Sequence, residues 1–402
     1  MSDGADTSIA PAAGASGAPT ILQVLPSLVT GGVERGTVDI AQALGDAGWG
    51  AVVASSGGPM VRAVERAGAV HVELPVHSKN PFVMRSNVER LAEVIRRHGV
   101  DIVHARSRAP AISARAAARH AGVGFVTTFH GTYNIGLAPK RWYNRVMTTG
   151  DRVIAISEFI AEHMVAEYKS DRSRIRVIHR GIDTELFDPA KVSDERVIKL
   201  AADWRLPDGV PIVMLPGRLT RWKGQRVLIE AVARLDNARL RCLIVGDDQG
   251  RTGYRREIEG LIQDRGLEGT VHLMGDCPDM PAAYKLADVV VSASTDPEAF
   301  GRIMVEAQAM GTPVIASDHG ASRELLLEDE TGWLFPPGDA AALAERVEAA
   351  IGLDSARRER IAERAMANAR AKFSKEGMCA ATLEVYREVI AKTAADAGPV
   401  AA

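Results

Sequence analysis

The sequence predicts an α/β protein built as two parallel-sheet domains, and three observations carry that prediction. Short β-rich runs alternate with helical patterns from Ile21 onward. A segment from Asp183 to Asp208, carrying Pro189 and Pro207 around a short charged helix, breaks the alternation, and a second cycle of the same kind follows it. The 402 residues are enough for two domains that each bury a core.

The first cycle reads as strand Ile21–Leu25, helix Val33–Ala47, strand Ala51–Ser55, helix Val88–His98, strand Ile102–Ala105 and helix Arg108–Ala121, followed by strands Phe125–Phe129, Arg152–Ile156 and Ile175–Ile178. The second reads as Ile212–Leu215 (strand), Gln225–Leu235 (helix), Arg241–Val245 (strand), Tyr254–Arg265 (helix) and Val271–Met274 (strand). It continues through Met280–Ala287 (helix), Val289–Ser292 (strand), Arg302–Met310 (helix) and Val314–Ala316 (strand). A final helix, Lys375–Lys392, places Met378, Thr382, Val385, Tyr386 and Val389 on one packing face. Domains are expected at 20–195 (with 375–393) and 205–373, after a disordered Ala/Gly/Ser/Pro tail at 1–19.

Composition narrows the function classes. A formal net charge of −2 gives no global reason to expect nucleic acid. Cys242, Cys277 and Cys379 are scattered outside any metal-ligand spacing, which reads as free thiols in a reducing compartment. No apolar run reaches bilayer length, and the first residues lack the basic start and apolar core of a signal peptide. A cytoplasmic protein is expected.

Four constellations carry chemistry. Glu298-Ala-Phe-Gly-Arg-Ile-Met-Val-Glu306 sets two carboxylates across a loop-to-helix junction, where the amides of Phe300, Gly301 and Arg302 meet the positive end of a helix. Arg218 and Lys223 lie in an acid-free loop between Gly217 and Gly224, suited to a diphosphate. Gly31-Gly32-Val33-Glu34-Arg35-Gly36 makes a glycine turn after the first strand, with the wrong spacing for a GxGxxG dinucleotide site and no acid after the second strand to take a ribose. His130 lies in the run Thr128-Phe129-His130-Gly131-Thr132 at a strand's carboxyl end, the ligand side of open α/β sheets. No Asp-x-Asp pair occurs, so cations and helix dipoles are expected in place of a metal.

These motifs resemble those of the large retaining glycosyltransferase family with the GT-B fold, family 4 in the usual sequence classification. The resemblance implies two Rossmann-like domains, an interdomain cleft, and a last helix crossing back onto the first domain. It implies that Glu298 contacts the donor sugar, Glu306 holds the ribose hydroxyls, and Arg218 and Lys223 neutralise the leaving diphosphate. Gly31 and Gly32 would border the donor phosphates and the acceptor, and His130 would lie beside the donor sugar. Gly275 and Cys277 fall in the stretch that reads the base in relatives. His179-Arg180-Gly181-Ile182-Asp183 resembles the family's Asn-Gly-Val-Asp turn, with Arg180 replacing the Asn. The implied reaction retains anomeric configuration, with a β-phosphate oxygen taking the acceptor's proton on the same face and a double displacement as the alternative. The donor would be a UDP- or GDP-sugar, with no cofactor.

From Ile102 through Gly150 there is no Asp or Glu, although acids number 51 of 402 residues. Arg106, Arg108, Arg115, Arg119, Lys140, Arg141 and Arg145 lie there with Phe125, Trp142 and Tyr143. This face suits an anionic glycan or glycolipid acceptor, or peripheral contact with the inner-membrane surface through Arg115, Arg119, Lys140, Arg141 and Trp142. The segment His104-Ala-Arg-Ser-Arg-Ala-Pro110 resembles lipopolysaccharide core transferases. The alternatives are a nicotinamide-dependent oxidoreductase and a non-catalytic two-domain sugar-binding protein.

Overall fold

A computed structural model describes residues 17–29, 31–133, 136, 138–235 and 240–396. The chain forms two compact units. One comprises the described residues through Ile178 together with those from Glu376 onward; the other is His179–Lys375.

The first unit runs β1 (Thr20–Val24), α1 (Gly32–Asp46), β2 (Gly50–Ser55), α2 (Val61–Arg66), β3 (Val70–Glu73), α3 (Pro81–His98), β4 (Ile102–Ala105) and α4 (Arg108–Ala121). It continues with β5 (Gly124–Phe129), α5 (Ala138–Arg145), β6 (Arg152–Ala155), α6 (Glu158–Tyr168) and β7 (Ile175–Val177). The strands form one parallel sheet in the order β3-β2-β1-β4-β5-β6-β7. Near-continuous Val/Ile runs such as Ile102–Val103 suit strands covered on both faces.

The second unit runs α7 (Asp194–Asp203), β8 (Ile212–Pro216), α8 (Gln225–Val232), β9 (Arg241–Val245), α9 (Thr252–Asp264), β10 (Val271–Gly275) and α10 (Met280–Leu286). There follow β11 (Val289–Ser292), α11 (Arg302–Ala309), β12 (Val314–Ser317), α12 (Ser322–Leu325), β13 (Gly332–Phe335), α13 (Ala340–Ile351) and α14 (Ser355–Lys372). Its sheet is also parallel, ordered β10-β9-β8-β11-β12-β13.

In both sheets the strand order reverses beside the first strand, between β1 and β4 and between β8 and β11. Open α/β sheets bind ligands outside the strand carboxyl ends at such a switch point. The expected pair of Rossmann-like domains is what the fold delivers.

The last helix, α15 (Lys375–Asp396), returns to the first unit. Leu383, Val385, Tyr386 and Val389 join the core formed by Ile102, Val126 and Ile154. Glu388 receives both Arg152 Nε (2.7 Å) and Arg176 Nη2 (2.7 Å). Those contacts hold the Glu388 carboxyl below the usual range, the Arg176 hydrogen bond being the largest cause.

The expected linker is a correction. The boundary falls after Ile178 rather than at 195, because the segment beyond it packs onto the second unit. Phe187 lies edge-on to Tyr284, ring centroids 6.0 Å apart, Lys285 Nζ donates to the Val192 carbonyl, and Arg196 forks onto Asp279 at 3.0 and 2.6 Å. The helix expected at Val88 begins at Pro81, where Asn80 accepts the Phe82 N–H at 2.9 Å and Pro81 occupies the first turn. The expected tail falls largely on residues outside the described ones.

Candidate functional site

The second unit concentrates the charged residues at its switch point. β8 delivers the loop Gly217–Gly224, which is fixed from below. Buried Gln225 donates to the Arg218 carbonyl (3.0 Å) and accepts from the Tyr254 hydroxyl (3.2 Å). Gly224 is left-handed at φ +74° and presses on the Ala293 carbonyl so closely that no Cβ fits. That contact brings the β8 and β11 loops together.

On the β11 side, Glu298 is buried at 7% exposure and Glu306 at 8%. Lys223 Nζ donates to Glu298 Oε1 at 2.5 Å, and the Ser294 hydroxyl donates to the same oxygen at 2.6 Å. The loop around Lys223 contains no acid of its own, but the fold supplies one from 75 residues away. The exposed Arg218 guanidinium forms no ion pair among the described residues. It is therefore the unspent cation of the pair.

Helix α11 starts at Arg302 after Gly301, which is left-handed at φ +92° and offers no side-chain cap. The Met304 N–H already donates to the Gly301 carbonyl at 3.1 Å, so the amides of Arg302 and Ile303 are the ones left for an anion. Arg302 Nη2 donates to Glu306 Oε1 (2.8 Å), and the buried Tyr284 hydroxyl donates to Oε2 (2.9 Å). Burial, reinforced by the Glu306 charge, pushes the Tyr284 phenol well up, so it stays a donor. A carboxylate has about four lone-pair sites, so Glu306 can still take ligand hydroxyls. Phe300 is buried against His179 and Phe373, at 6.1 and 6.0 Å between rings.

Gly275 ends β10 and Cys277 follows it, buried, with its thiol pushed up by that burial. That makes it a wall rather than a nucleophile. The His179–Asp183 turn ties the chain to the start of α15, since Ile182 pairs with Ser374 and Asp183 accepts Lys375 Nζ at 3.0 Å.

In the first unit, β1 leads to Gly31, extended at φ −179°, and α1 begins at Gly32. β5 delivers half-buried His130, whose backbone N–H lies 3.5 Å from the Tyr133 hydroxyl. Below them a polar chain crosses the sheet. His104 bonds the Tyr386 hydroxyl at Nδ1 and the Thr128 hydroxyl at Nε2, both at 2.7 Å. Burial holds the His104 pKa well below its usual value.

The basic face is smaller than the sequence suggests. Arg106 is buried, not surface: Nη1 donates to Gln23 Oε1 at 3.0 Å, and Gly36 leaves room for its guanidinium. Arg108 sits over the Tyr133 ring at 4.1 Å and donates to Asn144. Arg141 reaches the Glu167 carbonyl and lies 4.0 Å from its carboxylate, so a neighbouring helix partly neutralises it. Arg115, Arg119, Lys140 and Trp142 are exposed as expected.

Ser294 and Tyr284 are not singled out by the sequence, and His104 enters there only as the first residue of the His104–Pro110 segment, without its buried partners. Ser294 lies just past the end of β11 and four positions before Glu298, the only signal that marks it. Among the described residues, no three His, Cys, Asp or Glu side chains gather as metal ligands would, and no helix is long and apolar enough to cross a membrane.

Residues 30–186 match the family model described as Glycosyltransferase Family 4, and residues 198–367 the one described as Glycosyl transferases group 1. The chain is 34% identical to a D-inositol 3-phosphate glycosyltransferase of Xylanimonas cellulosilytica over 61% of its own length and 58% of the relative's. It thus spans little more than half of that relative. A glycosyltransferase structure from Rickettsia africae superposes with a TM-score of 0.87 at 38% identity, covering 93% of this chain and 99% of the other. Anabaena Alr3699/HepE in complex with UDP gives 0.80 at 25% identity, covering 92% and 100%. WaaG, a glycosyltransferase involved in lipopolysaccharide biosynthesis, gives 0.68 at 17% identity over 87% and 95%, a likeness of fold alone.

Proposed function

The chain belongs to the glycosyltransferase family that these two models describe, and from that premise we propose that it moves a glycosyl group from a nucleoside-diphosphate sugar to a phosphate-bearing acceptor. The observation that carries this reading is the Lys223–Glu298–Ser294 cluster at the β8/β11 switch point, with Arg218 beside it. A sugar hydroxyl would exchange into the Glu298 contacts as Lys223 turns to the diphosphate. Arg218 and the first-turn amides of α11 would absorb the rest of the leaving charge without a metal. Glu306 would hold the ribose hydroxyls. The sugar is taken as a hexose on UDP or GDP, and retention is part of the same proposal.

The first unit would bind the acceptor near Gly31, Gly32 and His130. Two acceptor classes share the required anionic chemistry. The relative's name points to an inositol phosphate, and the basic face around α4 and α5 points to a glycolipid of the envelope, lipopolysaccharide included, met at a membrane surface. Donor hydrolysis across UDP- and GDP-sugars, then transfer to each acceptor class with product stereochemistry, tests the reading. Turnover is expected to survive EDTA; complete loss restored by Mn²⁺ would overturn the metal-free chemistry.

A further inference from the structure

We propose that the first unit holds a slot for the apolar chain of one anionic amphiphile, the lipid part of the acceptor. This rests on the transferase reading and narrows its acceptor to a lipid carrying a phosphate.

A hollow of about 700 Å³ lies between α3, α4 and α5, walled by Met84, Val88, Ile112, Ala116 and the ring of Trp142. That size lies within the roughly 300–1,000 Å³ of small-molecule sites. A second hollow, of about 550 Å³, shares Ile112, Ala116, Trp142 and Tyr143, so the two lie on either side of one wall. Trp142 is 74% exposed and Phe82, next to the lining residue Pro81, is 84% exposed.

Charge says what fills these hollows. Lys79, Arg85 and Lys140 edge the first hollow, and Arg115, Arg119 and Arg145 the second, and among the described residues no carboxylate lines either. None of these six forms an ion pair among the described residues. An apolar chain between unspent cations matches an amphiphile with an anionic head. A soluble sugar phosphate would leave the apolar wall unused, and a flat bilayer surface would leave the hollow unfilled. The slot uses the N-terminal half of α3 and the middle of α4, in the same unit as His130.

The test is calorimetric titration of the full chain with alkyl phosphates from hexyl to decyl, all below their micelle concentrations. Affinity should tighten about fourfold per added methylene until the slot is full, and inorganic phosphate should give no comparable binding. Ala116 is exposed, so Ala116→Trp should fold, fill the slot and weaken decyl phosphate at least tenfold while donor hydrolysis is unchanged; Arg115→Glu with Arg119→Glu should weaken the phosphate but not decanol. Affinity independent of chain length, equal binding of inorganic phosphate, an unaffected Ala116→Trp, or binding only to anionic vesicles overturns the slot. Alkyl phosphate binding without any donor hydrolysis would sink the transferase reading and leave the slot standing.

Discussion

The two units keep their polar chemistry in opposite places. In the second, charge stands on loops and on helix α11 beyond the strands, and strand interiors such as Val213, Ile244, Val290 and Ile315 are apolar, with only the small hydroxyls of Ser292 and Ser317 buried at strand ends. In the first, Gln23, His104, Thr127 and Thr128 are buried within the sheet itself. Loop-borne groups can trade a protein partner for a ligand without disturbing a strand, as Glu298 can trade Lys223. Sheet-borne groups cannot: His104 has both ring nitrogens engaged, and losing a partner strands a buried polar atom. The second unit is therefore built to react and the first to hold its shape, and substitutions should divide along that line.

The largest effect is expected at the loop pair. Lys223→Met, Glu298→Gln and their combination should each lower kcat by about 10²-fold or more, the loss typical of one charge-stabilising group. Each single change also leaves a buried charge alone, so the double variant should melt higher than either single one. Steady-state kinetics beside calorimetry reads both, and near-normal turnover of the double variant would remove the site assignment.

Next comes Tyr386→Phe, which deletes one hydroxyl and strips His104 Nδ1 of its partner. The first unit should lose about 1–3 kcal/mol while the second keeps its stability. Hydrogen exchange measured unit by unit separates them, and equal deprotection of both would end the contrast.

The smallest effect is with pH. In the first unit His71, His98, His104 and His163 all have pKa values pulled below the usual 6.5, burial being the largest cause for each. The second unit contributes His272, lowered the same way. An unfolded chain takes up protons as pH falls through about 6.5 that these folded rings refuse, so stability present above 6.5 is lost below it. Acidification from pH 7 to 5.5 should thus loosen the first unit more than the second, and the reverse order in exchange rates would contradict it.

What the sequence reveals follows the same division. Arg218, Lys223, Glu298 and Glu306 are legible because loop chemistry depends on residue type at short spacing, and strands such as Arg241–Val245 because they are continuous apolar runs. The partners of those residues are not legible, since Lys223 meets Glu298 only through the β8/β11 crossover. Edge strand β3 is short and half-exposed, and α5 reads as a patch of charge. Arg106 looked like surface because nothing in its neighbours reveals that Gly36 makes room for it.

The chain leaves the first unit after Ile178 and re-enters it at Glu376, and beside those crossings the Ile182 N–H donates to the Phe373 carbonyl and the Lys375 N–H to the Ile182 carbonyl, both at 2.8 Å. The second unit is thus an insertion within the first. During synthesis its whole sheet leaves the ribosome while the first unit still waits for Tyr386, so the half of the protein that begins earliest is completed last.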